Sequence, residues 1–316
     1  MRFRKNPFQV LYERARASTL GRLPSRFDCS QQHVDSMLLI GKLHVDRVRR
    51  LPANAPFADA EFRVFSQFGD DGIIQYLIHT LPIEPATFVE LGVGDYSECN
   101  TRFLLMNDNW RGLAVDADSA GIDSARSSPF FWRHDLAAVS AFITRDNVND
   151  LLTHQGYNGD VGILSIDIDG NDYWVLEAIN CVRAALIIAE YNSLFGARHA
   201  VSIPYDPGFE RTRAHGSNLY FGCSLRALYE LLQKRGYALV GCNTAGNNAF
   251  FVREDLLGPL AAKSAQEAYV RSRFRESRDA EGNLSFLTGP DRLNLIGNLA
   301  VVDTMTHAKL RIAELG

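Results

Sequence analysis

The chain has 316 residues, 46% hydrophobic and 22% charged, with a formal net charge of -4 and a pI near 6.1. These values suit a globular protein built of one large domain plus additions, and they exclude a broad electrostatic grip on nucleic acid. The five cysteines, Cys29, Cys99, Cys181, Cys223 and Cys242, are scattered and form no C-x-x-C pair, which excludes a dithiol or zinc motif and reads as packed, reduced thiols.

The first residues, MRFRKNPFQVLYERAR, are basic and lack both the apolar run and the small-residue cleavage site of a secretory leader. No apolar run in the chain is long enough to span a bilayer. The expectation is a cytoplasmic protein, with this basic first turn a candidate contact for anionic lipid at the periphery of the inner membrane. In QQHVDSMLLIGKLHVDRVRR, Val34, Met37, Leu38, Leu43 and Val48 mark a helical stripe, and LPANAP ends it with two prolines. Residues 1–58 are therefore expected to form a helical extension and linker.

From Phe65 onward, helices and strands alternate. GDDGIIQYLIHTL predicts a helix, TFVEL a strand, the residues after Glu98 a helix, RGLAVD a strand and PFFWRHD a short third strand. Helical residues near 146–155 precede the strand VGILSIDID; the helix DYWVLEAI leads to the apolar strand ALIIAEY. Continuous apolar runs of this kind fit parallel strands buried on both faces. A long polar segment with Pro204 and Pro207 follows, then a helix in SLRALYELLQKRG. Next come YALVGCN and AFFVR, joined by the turn residues TAGNN as an antiparallel hairpin. The expected fold is α/β: a doubly wound, mostly parallel Rossmann-like sheet closed by that hairpin over residues 59–255, with 256–316 as a C-terminal cap.

The first strand runs into ELGVGDYS, where glycines allow a tight turn and a close approach of backbone to ligand. Asp116 ends the second strand and is placed for a ribose diol. Asp135 is expected at the end of the third, either meeting an adenine or capping a helix in LAAVSAFI. Two cofactors fit. Gly92-x-Gly94-x-x-Ser97 is a near miss to G-x-G-x-x-G, with an acid downstream as NAD requires. The acid Glu90 on the first strand, the residues Tyr96 and Ser97, and the terminal hairpin favour S-adenosylmethionine. No Tyr-x-x-x-Lys pair supports an NAD-dependent oxidoreductase.

The segment SIDIDGNDYW puts three aspartates at a strand tip, and IIAEYN adds Glu190 and Asn192 from the next. Ligands of open α/β sheets bind beyond these carboxyl ends. Asp167 and Asp169 are candidates for a general base, with His215 in the polar loop as an auxiliary base. Alternatively Asp167, Asp169, Glu190 and Asn192 offer hard oxygens to Mg²⁺. Asp172 reads as a cap. Tyr205, Arg211, Arg213 and Tyr220 in the long loop are candidates for binding a polar acceptor, phosphorylated or nucleotide-linked.

The segments FSQFGDDGIIQYLI, FVELGVGDYSECNTRFLL, LSIDIDGNDYWV, IIAEYNSLFG and GYALVGCNTAGNNAFFVR together resemble the FkbM-like S-adenosylmethionine-dependent methyltransferases over residues 60–255. The resemblance implies a class I methyltransferase domain, S-adenosylmethionine as donor, and methylation of a sugar hydroxyl in surface-polysaccharide or secondary-metabolite synthesis, with a sugar, nucleotide-sugar or glycan as partner. Carried over by position, Glu90, Gly92 and Gly94 form the donor loop and Asp116 the ribose contact. Asp167 stands beside the reacting centre, and Gln67 and Asp70 lie in a segment covering the donor. The chain departs from the pattern at Tyr96, where many methyltransferases carry glycine. A non-catalytic scaffold in a polysaccharide assembly is the alternative outside enzymology, and self-association into a homo-oligomer stays open.

Overall fold

A computed structural model describes residues 29–315. The basic stretch 1–28 lies outside the described residues, so a lipid contact there has no structural counterpart to compare. No helix among the described residues is long and apolar enough to cross a membrane.

The apolar runs set the sheet. In chain order the strands are β1 Thr87–Leu91, β2 Arg111–Asp116, β3 Leu136–Ser140, β4 Gly159–Ile166, β5 Val182–Glu190, β6 Val201–Ser202, β7 Tyr237–Cys242, β8 Asn248–Arg253, β9 Ala300–Asp303 and β10 Lys309–Arg311. Seven of them form one sheet in the order β3-β2-β1-β4-β5-β8-β7. β1 to β5 run parallel, and β8 enters antiparallel between β5 and β7. The expected doubly wound, Rossmann-like sheet with its terminal hairpin is thus present.

Successive residues of the central strands feed opposite layers. Phe88, Ile163, Leu186, Ile188 and Phe250 pack into one core. Val89, Leu164, Ile187, Ala189 and Phe251 pack into the other. Period-two side chains with both faces covered give strands with no polar stripe. The first core is roofed by α1 Cys29–Val48, α2 Asp70–Thr80, α3 Arg102–Asn107 and α4 Ser119–Ser127. The second is roofed by α5 Val148–His154, α6 Asp172–Ala178 and α7 Leu225–Gln233. On α1 the buried stripe runs through Val34, Met37, Leu38, Val45 and Val48. The expected member Leu43 is instead 71% exposed, because the face repeats at three and four residues and Leu43 falls off it.

Two expectations need correction. The third strand is not PFFWRHD: Phe131–Arg133 is a single 3₁₀ turn, and the strand is LAAVS, for which a helix capped by Asp135 was one of the two alternatives. Pairing decides the matter, since Leu136–Ser140 lies in parallel register with Gly112–Asp116 and tertiary context overrides alanine's helical preference. Second, the C-terminal segment holds part of another sheet. β6, just after β5, pairs with β9, which pairs with β10. Phe195, Val201, Ile203, Leu219, Ile296, Val301 and Ile312 form its core, with Ile296 ending α8 Pro290–Ile296. Cys99, Cys223 and Cys242 are buried and Cys181 half-buried, all as free thiols.

Candidate active site

The chain winds outward from β1 to β3 and then crosses back to β4, so the crevice between the carboxyl ends of β1 and β4 is the switch point where ligands of open α/β sheets bind. Gly92 stands there with φ +85°, and its N–H donates to the Val115 carbonyl at 2.8 Å. A Cβ at this position would lie 1.6 Å from the Asp167 carbonyl oxygen. Only glycine lets the loop after β1 lie against the tip of β4. Gly94, at φ +53°, has open space where its Cβ would be.

Asp116, at the end of β2, organises this loop. Its Oδ2 accepts from the backbone N–H of Val93 at 2.8 Å and Gly94 at 2.7 Å, and Oδ1 accepts from Asp118 N–H at 2.8 Å. Tyr96 takes up a left-handed conformation, φ +61°, at the position where a glycine was expected. It is fully buried, with its hydroxyl 2.9 Å from Thr101 Oγ1 and its ring beside Phe130, and this packing offsets the strain. Glu90 lies beneath. It accepts from Asn100 N–H at 2.7 Å, from Thr101 N–H at 3.0 Å and from the Thr101 hydroxyl at 2.5 Å. Burial pushes its carboxyl up to about 6, against the pull of these donors.

A cavity of about 90 Å³ opens at this crevice, lined by Gly92, Asp116, Ala141, Ile143, Ile168 and Phe209 among others. The Phe209 ring is one of its walls and rests on Gly170, where any Cβ would come within 2.3 Å of the ring. Ala141, Phe142 and Ile143 directly follow β3, so its carboxyl end delivers them to the crevice.

Beside the crevice is an acidic cluster. Carboxylate oxygens of Asp167, Asp169 and Glu190 lie within 4.8 Å of one another. Glu190 is buried and its Oε2 has no hydrogen-bond partner. Burial, then the charges of Asp169 and Asp172, hold Asp167 well above the ordinary carboxylate range. Burial, then the charges of Asp167 and Asp169, do the same for Glu190. Two such groups in contact keep a proton between them more readily than two charges.

Arg211, from the short helical turn Arg211–Ala214 in the loop after β6, supplies the counter-charge. Its Nη1 donates to Asp169, its Nη2 to Glu276 at 2.5 Å and its Nε to the Asn218 carbonyl at 2.9 Å. The guanidinium lies 3.6 Å above the Phe221 ring. Burial works to lower it, but Asp169, Glu190 and Glu276 outweigh burial and hold it above its ordinary value.

The remaining expected site residues lie elsewhere. Asp135 precedes β3 rather than ending it, and lines a hollow with Thr87, Arg111 and Asp160 at the amino ends of the strands, opposite the crevice. An adenine contact there is ruled out by topology. Asn192 is spent on the loop: its amide donates to the Leu219 and Phe221 carbonyls at 3.0 and 3.1 Å, and its oxygen accepts from Leu194 N–H. Asp172 clamps the turn before α6, accepting from Ile168 N–H at 2.7 Å and Gly170 N–H at 3.0 Å. His215 Nδ1 meets Ser217 Oγ at 2.8 Å, and the groups that bear most on Asp167 are Asp169, Asp172, Glu190 and Arg211. Tyr220 donates to the Ala300 carbonyl at 2.6 Å, Arg213 pairs with Glu210, and Tyr205 packs on Trp174.

Gln67 is exposed and lines a separate cavity of about 800 Å³ with Glu61, Phe68, Thr244, Arg273 and Phe274. Asp70 is buried against the Asn243 amide, at 2.9 and 3.2 Å, and burial pushes it up to about 7. It ties α2 to the β7–β8 turn.

No protein-family model matches the chain, and no curated protein sequence does. Among solved structures it is similar to the O-methyltransferase from Bacillus cereus in complex with SAH, at 17% identity and a TM-score of 0.37, over 68% of this chain and 89% of that one. It is also similar to an S-adenosylmethionine-dependent methyltransferase from Clostridium acetobutylicum, at 12% identity and 0.36, over 58% and 88%. A third is the N-terminal domain of EvdMO1 in the presence of SAH and D-fucose, at 11% and 0.32, over 52% and 73%. At these scores the likeness carries no inference about chemistry, which rests on the residues of this chain.

Proposed function

We propose that the chain is an S-adenosylmethionine-dependent O-methyltransferase acting on a sugar hydroxyl of a polysaccharide, glycoconjugate or glycosylated metabolite. The observation that carries this reading is the packing of the Gly92 loop on the Asp167 strand tip, which puts a ligand crevice beside the clustered carboxylates of Asp167, Asp169 and Glu190. The motifs shared with the FkbM-like family support a sugar acceptor, as does the polar, aromatic segment 204–222.

The residues around the crevice fit the donor in kind. Asp116 offers its remaining lone pairs to a ribose diol, while Ala141, Ile143 and Ile168 offer apolar walls to an adenine. The fit in size requires movement. About 90 Å³ is a fraction of the ~300 Å³ or more of an ordinary small-molecule pocket, so Phe209 has to lift from Gly170.

When bound, the donor supplies an electrophilic methyl group on a sulfonium. The protein's part is to position the acceptor and receive its proton. The ionised member of the Asp167–Glu190 pair takes the hydroxyl proton, and a raised proton affinity makes it a better base than a solvated aspartate. Arg211 fixes Asp169 and limits the charge that builds up on the cluster.

A second reading, Mg²⁺ held by Asp167, Asp169 and Glu190, is favoured by three carboxylate oxygens lying within 4.8 Å. That is close to the ~4.2 Å between opposite ligands of an octahedral Mg²⁺. The Arg211 guanidinium on Asp169 opposes it. Chelation by EDTA separates the two, since the proton reading expects activity to survive.

Calorimetry with S-adenosylmethionine and S-adenosylhomocysteine tests the central claim, with binding expected and weakened in Asp116→Ala. Labelled methyl transfer to sugar nucleotides and glycans then identifies the acceptor. Absence of binding to either compound, with NAD binding in their place, would sink the proposal in favour of an oxidoreductase.

A further inference from the structure

Away from the crevice, the C-terminal segment encloses a cavity of about 590 Å³, lined by Arg271, Arg273, Arg275 and Arg292 together with Ser272 and Phe274. It shares Val270, Arg273 and Phe274 with the chamber that holds Gln67. Among the described residues, none of these four arginines takes part in a salt bridge; the acid within their run, Glu276, is bonded to Arg211.

Arg292 is the telling member. It is only 6% exposed, yet its Nε has no partner. Nη1 meets Ser272 Oγ at 3.2 Å, and the guanidinium lies 5.8 Å from the Phe274 ring. The carboxylate that most favours its charge, Glu276, is bonded to Arg211 rather than to it, and a guanidinium taken out of water without an ion-pair partner of its own is costly unless an anion completes it. Arg271, Arg273 and Arg275 stand exposed around the same space and add to its positive potential. Planar forks of this kind suit the oxygens of phosphate.

The pocket is tied to the acidic cluster by two routes. Ser272 Oγ is 2.6 Å from Ser193 Oγ, three residues beyond Glu190 at the β5 tip. Glu276 bonds Arg211, which bonds Asp169.

We propose that this pocket binds the phosphate or diphosphate group of a phosphorylated acceptor, a nucleoside diphosphate sugar being the class that its size fits, and so holds the sugar toward Asp167 and Glu190. The orientation rests on the methyl-transfer reading above; the anion site itself does not. A cavity of about 590 Å³ lies within the range of ordinary ligand pockets.

The test is titration of the full chain at low ionic strength with pyrophosphate and, separately, with uridine diphosphate. Both are expected to bind, with affinity falling as salt rises. Arg273→Ala/Arg275→Ala, which alters only exposed side chains, and Arg292→Lys should each weaken binding at least tenfold while leaving S-adenosylhomocysteine affinity within twofold. Equal affinity for the two probes supports a site for the phosphoryl group alone, and tighter uridine diphosphate binding supports one that also holds the nucleoside. Failure of both probes to bind at millimolar concentration would overturn the assignment, as would affinities unchanged by the double variant. Absence of S-adenosylhomocysteine binding by the wild-type chain, with pyrophosphate binding present, would reject the methyl-transfer reading and leave the anion pocket standing.

Discussion

Gly92 and Gly94 belong to one short motif, yet their surroundings predict different responses to the same change. Gly92→Ala meets two obstacles. A non-glycine residue at φ +85° costs about 1–2 kcal/mol. Its Cβ, placed 1.6 Å from the Asp167 carbonyl oxygen, must also retreat by about 1.7 Å to reach an ordinary contact near 3.3 Å. That retreat pulls on the hydrogen bonds from Gly92 N–H to Val115 and from Asp167 N–H to Leu91, at 2.8 and 2.9 Å. With each worth about 1 kcal/mol, the total loss is about 3–4 kcal/mol. Gly94→Ala meets only the first obstacle, since nothing lies within 4 Å of its Cβ, and should lose about 1 kcal/mol. At about 2–4 °C per kcal/mol, ligand-free thermal unfolding should fall by about 10 °C for Gly92→Ala and about 3 °C for Gly94→Ala. Scanning fluorimetry and circular dichroism of the two variants measure the difference directly. Equal shifts, or a larger one at Gly94, would show that the loop is not pinned to β4 as described.

Three further outcomes follow from the site. Burial and the charge of Asp167 raise Glu190, so the folded chain keeps a proton that the unfolded chain releases; the associated stability is full below the unfolded value of about 4.3 and is lost as pH rises through the folded one. Urea unfolding should therefore show less loss of stability between pH 5 and pH 8 in Glu190→Gln than in the wild type, and an unchanged slope would contradict the coupling. Phe209→Ala removes a wall of the narrow crevice and should speed association of S-adenosylhomocysteine in stopped-flow measurements, whereas an unaltered rate would mean that Phe209 is no barrier. Glu90→Gln sets an amide N–H₂ against the donors of Asn100 and Thr101 and should cost about 2 kcal/mol in denaturant unfolding; a neutral result would show that the carboxylate is not needed there.

The sequence was most readable where strands are buried on both faces. TFVEL and RGLAVD match the strands to the residue, because each is a short β-prone run with a mostly apolar centre that ends beside the glycine loop or at an aspartate. LAAVS is less legible, since two alanines and a leucine suit a helix equally and only pairing with β2 settles the choice. Because β3 begins at Leu136, Asp135 lies at the amino end of the sheet and Ala141–Ile143 at the crevice end, neither of which its residues show on their own. The carboxylates of the cluster were legible as strand tips. Arg211 was legible only as a loop cation, since its partners Asp169 and Glu276 lie 42 and 65 residues away in the chain. The arginines of the C-terminal pocket stand close together in RSRFRESR, but Arg292 joins them only through the fold.

The pairing of β6 with β9 bears on how the chain is made. Ser202 sits opposite Val302, about 100 residues later. At ribosomal speeds of 5–20 residues per second, β6 waits roughly 5–20 s for its partner. Until then, Val201, Ile203 and Leu219 lack the cover of Ile296, Val301 and Ile312, and the loop carrying Arg211 and Phe209 lacks one of its walls. The seven-stranded sheet, whose strands are all synthesised by Arg253 and whose cores are completed by Leu260, Ala265 and Ala268, can form first. Packing of the loop that carries Arg211 and Phe209 is thus a late event in biogenesis, and a ribosome stalled before residue 300 would hold a chain without the second sheet on which that loop rests.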